Sequence, residues 1–66
     1  MTVIVNNYPI RIFQGAKVGD LVLRYAVRNK LGIKTINNLI AMDRWGHTLD
    51  NEAPLTDKQI VKIINS

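Results

Sequence analysis

Thr2-Val3-Ile4-Val5-Asn6-Asn7-Tyr8-Pro9-Ile10-Arg11-Ile12-Phe13 holds two β-rich runs around an asparagine pair. Asparagine tolerates the positive φ values of a tight hairpin turn, so Asn6-Asn7 reads as the turn. Side chains alternate along a strand, so Val3 and Val5 share one face, as do Ile10 and Ile12. Ile10, Ile12 and Phe13 mark the second strand. Pro9 stands at its start, where a missing N–H is tolerable. The segment is expected to be a β-hairpin with one buried face.

Outward from the hairpin the period changes. Gln14-Gly15-Ala16 breaks the strand, and Val18, Leu21, Val22, Tyr25 and Ala26 then recur at helical spacing. Asp20 suits the positive end of the helix dipole, and Arg28 and Lys30 suit its negative end. Gly32 is a natural stop. The spacing predicts a helix from Val18 to Leu31. Ile33 to Asn38 reads as a connection and Asn38 to Met42 as a third strand, with Leu39 and Ala41 on one face, Ile40 and Met42 on the other. Asp43-Arg44-Trp45-Gly46 is turn-like, and His47 to Leu49 reads as a short edge strand. After a polar loop from Asp50 to Pro54 and a turn from Leu55 to Gln59, Ile60 to Ile64 forms the last strand. A helix must cover the apolar face of such a sheet, and the first and last strands are expected to pair in parallel at its centre.

The whole chain, residues 1–66, makes one domain. A chain of this size buries only about 60% of its unfolded surface. It has no cysteine, which excludes disulfides and zinc–thiolate sites, and 47% hydrophobic residues, which is material for an apolar core. The lack of cysteine fits a reducing, cytoplasmic setting. No stretch approaches the ~20 apolar residues of a membrane span, and the start lacks the pattern of a signal peptide. A small soluble protein without a membrane role is expected. The net charge of +4 favours acidic partners but falls short of a dense basic stripe.

Three segments carry a resemblance. Met1-Thr2-Val3-Ile4-Val5-Asn6, Gly15-Ala16-Lys17-Val18-Gly19-Asp20-Leu21-Val22 and Leu55-Thr56-Asp57-Lys58-Gln59-Ile60-Val61-Lys62-Ile63 resemble the β-grasp (ubiquitin-like) superfamily, and most closely the ThiS/MoaD group of sulfur carriers. The second segment is similar to that group's G-x-T-V-x-E/D-L-L entry to the helix, with Lys17 in place of threonine. The third is similar to its L-x-D-G-D-x-V-x-I step, with Lys58 in place of glycine, which implies a turn of different shape. The resemblance implies an α+β fold: a β-hairpin, one helix, then two to three further strands in a mixed sheet.

Function has to be argued from the site. Sulfur carriers and ubiquitin-like modifiers work through a flexible Gly-Gly tail, because a Cβ would clash in the enzyme channel that the tail threads. This sequence ends Ile63-Ile64-Asn65-Ser66. The expectation is therefore a domain without carrier activity, unless the natural chain runs further. No catalytic set is legible: His47 has Asp43 and Asp50 nearby, but the only nucleophile options are threonines and Ser66. The same three residues lack a recognised metal-ligand spacing. The four glycines are scattered singly, so no phosphate loop is present. No cofactor is expected.

Two sets of apolar residues and one set of cations remain. Leu23 and Val27 project away from the main helical stripe, with Leu31 roughly on their side. Either Ile33–Asn38 folds over Leu31 and Val27, leaving Leu23 alone exposed, or the strip is a contact surface. Trp45 either caps one end of the core, the reading its apolar bulk favours, or anchors a second surface with Ile40 and Met42. The resemblance supports the latter, since ubiquitin-like domains commonly bind partners through the open sheet face. Arg24, Arg28, Lys30 and Lys34 read as the solvated helix face; their other reading is phosphate contact, as in TGS-like RNA-associated domains. No interleaved exposed aromatics are evident for base stacking. The leading expectation is a non-catalytic interaction module that docks on a protein partner. A truncated sulfur carrier and an RNA-associated domain are the alternatives, and a homodimer through an exposed sheet edge stays open.

Overall fold

A computed structural model describes residues 1–65; Ser66, one of the hydroxyls weighed above, lies outside the described residues. Asn6 and Asn7 both adopt positive φ, 50° and 72°. This gives the two-residue turn that matches strand twist. It joins β1 (Thr2–Val5) to β2 (Tyr8–Arg11) as an antiparallel hairpin with Val3 opposite Ile10. The strand starts one residue before Pro9, and Phe13 lies beyond its end, correcting the expected boundaries.

The helix α1 spans Val18–Arg28. Its first turn is closed from two sides. The Asp20 carboxylate accepts the Lys17 N–H at 2.9 Å, which satisfies a donor and places negative charge at the helix start. The carbonyls of Ala53 and Asn51 accept the Val18 and Gly19 N–H groups at 2.9 and 2.8 Å. Gly19 permits this approach, since a Cβ there would lie 3.3 Å from the Asn51 carbonyl oxygen. Lys17 and Glu52 pair across the same junction at 2.8 Å, and that hydrogen bond raises the Lys17 pKa above its ordinary value.

The helix ends earlier than its spacing predicts. Lys30, not Gly32, provides the left-handed residue, at φ 56°. Its N–H bonds to the Val27 carbonyl, and the Leu31 N–H bonds to that of Ala26, the paired closure of a Schellman motif. Lysine rarely takes the left-handed backbone of such a closure, so the sequence points to Gly32 instead. Gly32 instead precedes α2 (Ile33–Asn37), a single turn where a connection was expected. Five residues are too few to show a helical period.

β3 (Leu39–Met42) pairs antiparallel with β4 (Ile60–Asn65), and β4 pairs in parallel with β1. The sheet order is β2-β1-β4-β3, so the first and last strands lie at the centre, as expected. His47–Leu49 forms no named strand; Thr48 makes an isolated bridge to Met42. The outer edge of β2 is blunted by Pro9, which has no N–H to offer a second copy.

The β1·β4 ladder is extended by a side chain at each end. Asp57 Oδ1 accepts the Thr2 N–H at 2.8 Å. At the other end the Asn6 side chain behaves as one more peptide unit. Its Oδ1 accepts the Ile63 N–H, and its Nδ2 donates to the Ile63 carbonyl, each at 3.0 Å. Nδ2 also donates to the Tyr25 hydroxyl at 3.3 Å, tying the turn to α1.

The core lies between α1 and one sheet face. Val3, Val5, Ile10, Ile12, Val61 and Ile63 meet Val18, Leu21 and Val22, with Ala16, Ala41 and Leu55 closing the sides. Lys58, where the resembled motif has glycine, sits at φ 63°. The turn thus keeps the left-handed backbone that glycine would supply, contrary to the expected change of shape. Left-handed backbone costs a non-glycine residue roughly 1–2 kcal/mol, partly offset by the flexibility of glycine when unfolded. Lys58→Gly is therefore expected to stabilise the domain by about 0.5–1 kcal/mol, read as a higher urea midpoint. A lower midpoint would show that the lysine side chain contributes more than its backbone costs.

Candidate functional site

α1 covers one face of the sheet and leaves the other open. Alternation puts Ile4, Ile60, Ile64, Ile40 and Met42 on the open face. The register makes Ile4 the neighbour of Ile60, and Ile40 the neighbour of Ile64. Met42 lies beside Lys62. Ile60 is 41% exposed, and the other four are half-buried. Arg11, opposite Thr2, and Lys62 add exposed charge to the same face.

Trp45 stands at one end of this face. Its ring is 74% exposed, so it does not cap the core. The loop is held from below by Asp43, whose Oδ1 accepts the N–H groups of Trp45 and His47, each at 2.9 Å. The His47 bond, with help from Trp45, holds the Asp43 carboxyl below the usual carboxylate range. With the loop backbone committed to Asp43, the indole is turned outward. The Arg44 guanidinium sits 5.6 Å from the ring centroid. Arg44, Trp45, Lys58 and Ile60 line one open cleft of ≈220 Å³. The tryptophan is thus continuous with the open face.

Of the candidate surface residues, Ile40, Met42 and Trp45 fall on this side. The sequence reading missed Ile4, Ile60 and Ile64. The period-2 pattern that marks Val61 and Ile63 as buried also marks their neighbours as outward, and three outward isoleucines were a usable signal.

The architecture is a β-grasp. No protein-family model matches the sequence, and no curated protein matches it. Among solved structures, one described as the crystal structure of ATBAG1 in complex with HSP70 superposes on 98% of this chain, with a TM-score of 0.70 and 15% identity. The chain spans 38% of the length of that one. At this identity the likeness is one of fold.

The second candidate strip lies on the other side. Leu23 and Val27 are 53% and 73% exposed, so Ile33–Asn38 does not fold over them. With Ile12, Phe13, Asp20 and Arg24 they line an open cleft of ≈370 Å³ between α1 and the end of β2. Leu31 is half-buried and does not line it. Arg24, Arg28, Lys30 and Lys34 are all exposed. Among the described residues, none of them forms an ion pair.

His47 Nδ1 lies 3.6 Å from Asp43 Oδ2, with the histidine side chain largely in solvent. Among the described residues no group of three or more metal-ligating side chains comes together. Among the described residues no helix is long and apolar enough to cross a membrane.

Proposed function

We propose that this domain is a non-catalytic, cytosolic docking module whose open sheet face binds a protein carrying an apolar patch ringed by carboxylates. One observation carries the reading: five apolar side chains share a sheet face that no element among the described residues covers. A half-covered antiparallel sheet ordinarily alternates apolar inside with polar outside. Here the outward positions of β1, β3 and β4 are mostly isoleucine or methionine. Arg11, Lys62, Arg44 and Lys58 stand on this face or at its Trp45 end, which favours an acidic partner and rejects a basic one. Trp45 and Arg44 are the residue types that most often anchor an interface. The similar solved chain, of which this domain spans 38%, was captured in a complex with HSP70, which supports a protein partner in general.

The left-handed Lys58 supports kinship with the sulfur-carrier group, whose motif has glycine there. A carrier activity would require ATP-dependent activation by an adenylating enzyme, and that assay separates a carrier from a docking module built on the same scaffold.

The docking test compares immobilised wild-type domain with the Ile40→Glu/Ile60→Glu double variant and with Leu23→Glu on the opposite side, each first checked for folding by circular dichroism. Proteins retained from host extract are quantified by mass spectrometry. A partner retained by the wild type and by Leu23→Glu, and lost from the double variant, is the expected result. Identical retention by all three overturns the assignment to this face.

A further inference from the structure

Two open clefts border β2 and α1 on the helix side of the molecule. Each pairs an exposed aromatic ring with an arginine. At one end Phe13, 58% exposed, shares its cleft with Arg24. At the other Tyr8, 74% exposed, shares an open cleft of ≈530 Å³ with Tyr25 and Arg28. Tyr8 opens β2 and Phe13 lies two residues beyond its end. The arginines are one helical turn apart on α1, and neighbours at that spacing lie about 5–6 Å apart at Cβ. Among the described residues, Asp20 is the one carboxylate lining either cleft, and it already accepts the Lys17 N–H.

We infer that this channel binds single-stranded nucleic acid, with the bases on Tyr8 and Phe13 and the phosphates on Arg24 and Arg28. An acidic peptide would meet the two arginines but leave the exposed rings without a planar partner. A duplex would use the cations but leave the rings idle. A single strand uses both, because every base has a face to stack and every nucleotide a charge to neutralise. The pattern is hidden in the sequence because rings and cations come from different elements; only the packing of β2 against α1 interleaves them. This site is independent of the docking face, which lies on the far side of the sheet.

The test is fluorescence anisotropy with a labelled uridine oligonucleotide, titrated between about 50 and 200 mM salt. Two phosphate contacts to a single strand predict a log–log salt slope of about −1.4. Tyr8→Ala and Phe13→Ala are each expected to weaken binding about tenfold, the usual range for loss of one stacked base. Both rings are exposed, so these variants keep the fold, which circular dichroism verifies. Arg24→Glu/Arg28→Glu should abolish binding, and Ile60→Glu should leave it unchanged. Three outcomes overturn the inference: no saturable binding, binding that ignores both ring truncations and so reports charge attraction alone, or equal competition by polyglutamate, which marks the channel as an acidic-protein site.

Discussion

Asn6→Ala is expected to destabilise the domain by about 2–4 kcal/mol, mostly through the buried polar groups it would orphan. The Asn6 amide satisfies both backbone groups of Ile63 and one hydrogen bond of Tyr25. Ile63 is a core residue on the central strand β4, where water reaches its backbone poorly. Alanine would also have to hold the left-handed φ of residue 6, 50° in the present structure. Asn6→Gly separates the two causes, since glycine keeps the backbone and loses the amide. If Asn6→Gly recovers most of the loss in a urea melt, the backbone term dominates and the bridging amide contributes little. If it stays close to Asn6→Ala, the ladder extension is what stabilises.

Leu21→Ala is expected to cost more, about 3–5 kcal/mol, from lost transfer energy and the cavity left behind. Leu21 is fully buried and is the largest side chain at the centre of the core. Its neighbours Val3, Val5, Val18 and Val61 are short and β-branched, and such side chains are stiff and collapse poorly into a void. At roughly 0.05–0.15 kcal/mol per residue, a domain of this size has only about 3–10 kcal/mol in total. The variant should therefore be largely unfolded at room temperature, seen as lost dispersion in its amide proton spectrum. A folded variant with a modest shift in midpoint would mean that the core relaxes around the gap.

Both effects involve features of unequal visibility in the sequence. Leu21 was legible, because its spacing from Val18, Val22 and Tyr25 repeats the helical period. The hairpin turn was legible, because an asparagine pair tolerates the backbone it needs. The central parallel pair followed from the apolar character of the first and last strands, in which Lys62 is the one charge within Val3–Val5 and Ile60–Ile64. The bridging role of Asn6 was not legible. Its partners lie 19 and 57 residues away, and no local pattern reports them. The left-handed backbone at Lys30 and Lys58 was invisible for another reason: lysine does not prefer it, and it is held at Lys30 by local helix-closing bonds to Val27 and Ala26 and at Lys58 by a distant bond to the Thr2 carbonyl. On the surface, Leu23 and Val27 could be named from the helical wheel, whereas Trp45 was assigned to the core by bulk alone. Its outward turn depends on Asp43 holding two backbone N–H groups, a matter of loop geometry.

The central pairing of β1 with β4 also governs how the domain is made. Thr2–Val5 can find Tyr8–Arg11 at once, since a two-residue turn joins them. Its other neighbour, Ile60–Asn65, lies more than fifty residues downstream. Contacts this distant in sequence slow folding, because the intervening chain must be ordered before they form. During synthesis the hairpin and α1 emerge first, with their apolar faces unsealed and one side of β1 unpaired. Until Ile60–Asn65 arrives, that bare backbone is open to any passing strand. The nascent chain is thus most exposed to mispairing along the strand that is best protected in the finished fold.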